Sequence, residues 1–181
     1  MRSIKNQITL IVLGVIVLLT MALMFVFYLQ VQFIVQKETK NEAKRHLATA
    51  EAIIDLRCPG SWYVKGDTLY KGQTEINNNF VLVDNIKELT GGTCSIYLNN
   101  VCVATTVIDG ACNIRAVGKP VPKEVKSETL EAGHYYLGQA EIEEKINQTA
   151  YKPIINDEGQ ALGVLYIGTK RTLYNSIIYR S

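Results

Sequence analysis

The 181-residue chain is short of the residues from which catalytic and metal centres are most often built. Only two histidines occur, His46 and His134. The four cysteines, Cys58, Cys94, Cys102 and Cys112, form no CxxC, so no spacing matches a zinc site. GxSxG, the Walker loop, HExxH and GxGxxG are all missing. The chain is read as not an enzyme, with no cofactor and no metal. A basic stripe is also lacking. Setting Arg2 and Lys5 aside leaves 17 basic and 17 acidic side chains, so nucleic acid is not an expected partner. Low-complexity tracts and internal repeats are absent.

The longest gap in charge is the most informative absence. Ile8 to Leu29 reads ITLIVLGVIVLLTMALMFVFYL, without charge or proline. As a helix it spans roughly 33 Å, enough to cross a hydrocarbon core of about 30 Å. Arg2 and Lys5 precede it, and the first acidic residue is Glu38. That asymmetry favours a cytoplasmic N-terminus and places the rest outside. The following FVFYLQVQFIVQ has no small-x-small cleavage site, which favours an uncleaved anchor over a signal peptide. The expected location is the cell membrane, with one N-terminal anchor and an extracytoplasmic domain. In an oxidising compartment the even cysteine count suggests disulfides; in an anaerobe free thiols fit equally well.

After the anchor, the chain stays rich in Ala, Glu, Lys and Leu up to Pro59. Ala43, Leu47, Ala50 and Ile54 recur at i, i+4, i+7 and i+11, one apolar stripe. A long helix to about Arg57 follows, ended by Cys58-Pro59-Gly60. The stripe fits packing on the domain's own sheet, a dimer contact, or both. Trp62–Val64 and Thr68–Tyr70 flank Lys65-Gly66-Asp67, hairpin chemistry. Phe80, Val83, Ile86 and Leu89 predict a helix of about ten residues, stopped by Gly91-Gly92.

Two strands, Cys94–Leu98 and Val101–Val107, meet at Asn99-Asn100. This register pairs Leu98 with Val101, Ile96 with Val103 and Cys94 with Thr105, and leaves Tyr97, Cys102, Ala104 and Thr106 on the other face. Cys94 and Cys102 then point apart, against a bridge between them; a one-residue slip would overturn the assignment. The segment IDGACNIRAVGKPVP reads as a loop and Val121 to Glu131 as a helix closed by Gly133. Three strands finish the domain, His134–Ile142, Lys145–Ile155 and Ala161–Thr169. Gly138, Gly163 and Gly168 mark bulges or close backbone approach. The fold class is α+β: an N-terminal transmembrane helix running into a long helix, then an antiparallel sheet of about five strands with helices on one face.

CPGSWYVKGDTLYKGQTEINNNFVLVDNIKELTGGTCSIYLNNVCVATTV, then DG and RAVGK, GHYYLGQAEI and TAYKPIINDEGQALGVLYIG, resembles the single Cache (PAS-like) sensor domain of bacterial methyl-accepting chemotaxis receptors. The resemblance runs from about Pro59 to Gly168 and rests on an ordered set: Gly66, Leu69-Tyr70, Val83-Asp84, Ala104-Thr105, Arg115 and Tyr151–Pro153. Together with the anchor and the long helix read above, it divides the chain into a cytoplasmic N-terminus at 1–7, a transmembrane helix at 8–35, a juxtamembrane helix at 36–57, the sensor domain at 58–169, and the start of a helix leading back to the membrane at 170–181. A small ligand, often a short carboxylate, is expected in a cup over the sheet, with signalling by helix displacement and a homodimer through the long helix. The same fold also serves histidine kinases and cyclic-dinucleotide enzymes. No second membrane helix or cytoplasmic coiled coil precedes Ser181, so the chain reads as a fragment, a truncated product or the first part of a split gene. Cys102 and Cys112 stand where the family usually has other polar residues, near a short insertion at Ala111–Ile114, which suggests a Cys102–Cys112 bridge.

Within that resemblance, Arg115 is the candidate carboxylate fork, against the plainer reading of a solvated loop arginine. Thr105 and Thr106 offer hydroxyls; for Thr105 ordinary strand filling is favoured. Tyr151 is favoured over Lys152, which faces the opposite way. Tyr135 and Gln139 share a strand face, and His134 opens that strand, where a surface or capping role is commoner than a ligand role. His46, between charges, reads as solvated, and Trp62 as structural.

Overall fold

The computed structural model describes residues 4–109, 113–142 and 145–170. Two compact units divide the chain, 1–38 and 39–181. Helix α1 spans Ile4–Arg57. Within it, Leu10–Gln32 is the one segment among the described residues long and apolar enough to cross a membrane, and its side chains are exposed.

In the second unit the sequence writes its own sheet. Five strands pair antiparallel in the order β5-β4-β10-β9-β8, formed by Thr93–Leu98 (β4), Val101–Thr105 (β5), Tyr136–Ile142 (β8), Lys145–Ile155 (β9) and Ala161–Lys170 (β10). Both faces are covered, so successive residues of the central strand β10 serve different cores. Leu165 and Ile167 join Cys94, Ile96, Leu98, Ala150 and Ile154 against α1 and α2 (Phe80–Thr90). Val164 and Tyr166 join Tyr151 on the opposite face, beneath Val121 and Val125 of the segment holding α3 (Lys123–Lys126). A π-helical turn, Ser127–Glu131, extends α3, with Thr129 buried in it. The five-stranded antiparallel sheet is the one expected, and α1 and α2 share a face; α3 lies across the other.

The stripe on α1 is fully used within this chain: Ala43, Leu47, Ala50 and Ile54 are all buried. Burying a Leu or Ile side chain of this kind stabilises by about 1.5–3 kcal/mol. His46, expected in solvent, is half-buried, and its Nδ1 is buried with no hydrogen-bond partner. The stripe's neighbours on the helix carry it against the domain. Helix α2 is capped as its sequence demands. The Asn79 side chain accepts from the Leu82 amide at 3.1 Å, and Gly91, at φ 70°, closes the C-terminus by donating to the Lys87 carbonyl. The hairpin of β1 (Trp62–Lys65) and β2 (Thr68–Lys71), with β3 (Thr74–Glu75), forms a separate three-stranded sheet. Trp62 packs against the α1-side core.

One pairing departs from expectation. Leu98 does pair with Val101, but a register shift follows: Tyr97 pairs with Cys102, Ile96 with Ala104 and Ser95 with Thr105. Val103 is the extra residue. A bulge of this kind reverses the facing of everything beyond it. Thr105 therefore lies on the α3 side with Ser95, and Thr106 turns to the Cys94 side, the opposite of the sequence-based assignment. Cys94 and Cys102 still point to opposite faces. The segment read as a loop contains a two-residue ladder, β6 (Ile108–Asp109) with β7 (Ile114–Arg115). Cys112 and the tail at 171–181, with the return helix proposed for it, lie outside the described residues.

Candidate functional site

The bulge completes a row. Thr105 pairs with Ser95, Ser95 with Tyr166, Tyr166 with Tyr151, and Tyr151 with Tyr136. One rung thus crosses all five strands on the α3 face, and every member carries a hydroxyl. The adjoining rung is Thr93, Gly168, Thr149 and Gly138. Its small residues leave room for the tyrosine rings to lie over it. A Cβ at Gly138 would stand 2.6 Å from the Tyr136 ring, and one at Gly168 would strike the Tyr166 hydroxyl and stand 2.6 Å from Thr93 Oγ1. These two glycines do mark close approach, but of side chains.

The rings contact in sequence. Tyr136 meets Tyr151 edge-on at 5.9 Å between centroids, and Tyr151 meets Tyr166 tilted at 4.8 Å. Such pairs add about 0.5–1.5 kcal/mol beyond area burial. Tyr151 and Tyr166 are buried, Tyr136 and Tyr97 half-buried. Ser95 Oγ and Thr105 Oγ1 lie 2.6 Å apart, and Tyr166 Oη lies 3.4 Å from Thr93 Oγ1. Burial pushes the Tyr166 phenol up to about 12, a hydrogen bond from Thr93 acting against it. Burial also raises Tyr97 and Tyr151, where hydrogen bonds from Ser95 and Thr149 oppose the shift. At neutral pH the row is therefore a line of uncharged hydroxyls between aromatic faces, able both to donate and to accept. The α3 segment and its π-helical turn form the roof, through Val121, Val125 and Leu130.

Of the residues singled out from sequence, Tyr151 stands at the centre of this row and Thr105 at its end. Thr106 does not join them: its Oγ1 accepts from the Cys94 amide at 2.9 Å inside the α1-side core. Arg115 is committed elsewhere. Its guanidinium meets both carboxylate oxygens of Asp84 on α2, at 2.9 and 2.8 Å, and donates to the Thr105 carbonyl at 2.7 Å. Its Cζ lies 4.6 Å from the Phe80 ring centroid. The arginine thus clamps the β6–β7 ladder to α2 and to the last residue of β5.

Tyr135 is exposed, on the α1 side, with Lys152 Nζ 5.5 Å from its ring. Its neighbour Tyr136 takes the place in the row instead. Gln139 pairs with Gln148 through the backbone, and its side chain lies outside the described residues. His134 is exposed; its amide donates to the Glu128 carbonyl and its Nδ1 lies 3.8 Å from the Glu128 carboxylate. Cys102 is a buried free thiol whose Sγ approaches the Ala104 carbonyl at 3.7 Å, and burial pushes it up to about 11. Sequence reasoning missed Tyr136, Tyr166, Ser95 and Tyr97. The strand periods were available for all four; what was lacking was the register that aligns them.

Comparison with known proteins gives one family. The model described as single Cache domain 3 matches residues 74–181, more than half of the chain. Among solved structures, the E. coli DcuS sensor domain is similar at 12% identity and a TM-score of 0.39, covering 54% of this chain and 70% of that one. No curated protein matches.

Proposed function

The chain belongs to the single Cache domain 3 family, and from that premise we propose that it is the extracytoplasmic, small-molecule-sensing part of a transmembrane chemotaxis receptor. Binding, with no catalytic turnover, is the activity proposed. The observation that carries this reading is the hydroxyl row, Thr105–Ser95–Tyr166–Tyr151–Tyr136, roofed by α3. A mostly aromatic lining with a few convergent polar groups is the usual chemistry of a small-ligand site. We place the ligand there, with its polar groups against the hydroxyls and its body between the sheet and the roof.

Leu10–Gln32 is read as the anchor, with Arg2 and Lys5 on the cytoplasmic side. The sensor is taken to act as a homodimer through α1, and ligand binding to displace that helix. The chemotaxis output rests on the sequence resemblance. A histidine kinase or cyclic-dinucleotide enzyme is the alternative output, and coding sequence downstream of Ser181 separates the two: methylation-type heptads, or a kinase core.

The test is a thermal-shift screen of the detergent-solubilised chain against small carboxylates, amino acids, amines and neutral polar metabolites. A ligand at a hundred times its dissociation constant adds about 2.7 kcal/mol and moves the midpoint by several degrees. Tyr151→Phe should weaken that shift while the unliganded midpoint stays close to wild type. A shift that is unchanged in Tyr151→Phe, in Tyr136→Phe and in Ser95→Ala would remove the row as the binding surface.

A further inference from the structure

The opposite face of the sheet holds a cleft. Its volume is about 290 Å³, at the small end of ligand pockets. The C-terminal turns of α1 supply Glu51, Ile54 and Asp55, the hairpin supplies Trp62 and Lys71, and β9 supplies Lys152 through Ile155. Glu51 and Asp55 are four residues apart, hence on one side of the helix. Each meets a lysine: Lys152 Nζ bonds to Glu51 Oε1, and Lys71 Nζ lies 2.9 Å from Asp55 Oδ1.

The two members of the Lys71–Asp55 pair differ sharply in setting. The Lys71 side chain is 10% exposed and its ammonium lies 5.3 Å from the Trp62 ring centroid, whereas Asp55 is 66% exposed. A buried ammonium needs an anion beside it. An exposed aspartate gains little from supplying one, since water screens pairs that are open to it. Lys71 is therefore a fixed cation with a replaceable partner. The walls beside it are apolar: Trp62, Ile54, Ile155 and Leu165.

We propose that this cleft is a second small-molecule site, which takes a small carboxylate with an apolar body. The carboxylate replaces that of Asp55 on Lys71, and the apolar body covers Trp62 and Ile155. Asp55 swings into water, which its exposure allows, and no buried charge is left unpaired. Occupancy removes the Lys71–Asp55 ion pair that joins α1 to the hairpin, so the site bears on the seating of α1 against the domain. It does not depend on the tyrosine row, which lies on the other face.

Trp62 is the only tryptophan in the chain and serves as a local probe. The detergent-solubilised full chain is titrated with sodium phenylacetate, and Trp62 emission is read with excitation at the red edge. Saturable change is expected, with 2-phenylethanol at least tenfold weaker. Lys71→Met abolishes the response and Lys71→Arg retains it. Asp55→Asn tightens binding about fivefold, because the competing carboxylate is gone. That increase is what a merely structural ion pair would not produce, and it stands even if Lys71→Met fails to fold. No saturable change, equal binding of 2-phenylethanol, or weaker binding in Asp55→Asn would each overturn the proposal. Since the signal arises at Trp62, such a failure leaves the tyrosine-row reading intact.

Discussion

Arg115→Ala separates two roles that a sensor-domain arginine can have. The clamp described above predicts a structural penalty. The bidentate contact with Asp84 is open to water on the carboxylate side, where Asp84 is 47% exposed, so it is worth about 1 kcal/mol. The Thr105 carbonyl, on a buried residue, loses a charged donor at a cost of about 1–2 kcal/mol. The contact with Phe80 adds about 0.5–1 kcal/mol. These contributions are not independent, and a net loss of about 3 kcal/mol is expected. For a domain of this size that lowers the midpoint by about 10 °C. Thermal melts followed by circular dichroism measure it, and a double-mutant cycle with Asp84→Ala should return a coupling of about 1 kcal/mol. A ligand found in the screen should still raise the midpoint of the variant by nearly the wild-type increment. If Arg115→Ala melts within 2 °C of wild type but no longer responds to ligand, the clamp reasoning is wrong and the arginine is a ligand fork.

Other consequences are equally direct. Ile54→Ala, at a fully buried position, should cost about 2–5 kcal/mol in denaturant melts. Gly168→Ala places a methyl group against Tyr166 and Thr93 and should destabilise by about 1–3 kcal/mol; Gly168→Ala combined with Tyr166→Phe should recover part of the loss. The Tyr166 phenol, raised to about 12 from 10, keeps its proton in the folded state longer than in the unfolded one. Its contribution to stability is complete below pH 10 and is lost as pH rises toward about 12. Melts across pH 8 to 12 should show that decline, and Tyr166→Phe should make it shallower.

The regular parts of the fold were legible because each carried its own period. The last three strands, α2 with its glycine stop, and the α1 stripe could be read one segment at a time. What failed was relational. The strand pair at Asn99-Asn100 was placed correctly, but nothing local to VCVAT announces that Val103 is an extra residue. That single bulge decides whether Thr105 or Thr106 faces α3. Arg115 was picked for its chemistry, yet its partner, Asp84, lies 31 residues away on a helix. Tyr151 was found because it lies in a recognisable run, TAYKP. Tyr166 and Tyr136 became part of a site only once the register joined them to Tyr151. The π-helical turn was covered by a predicted helix whose pitch the sequence did not reveal.

The sheet is a partition one residue thick, and along β4 and β10 its two sides are divided between odd and even positions. On β10, 165 and 167 hold α1 and α2 in place, while 164 and 166 look toward the roof. Substitutions can therefore accumulate on one parity class with little demand on the other. A lineage could trade tyrosines for other side chains along the roofed face, where the ligand is proposed to lie, while the residues that grip the helices stay as they are.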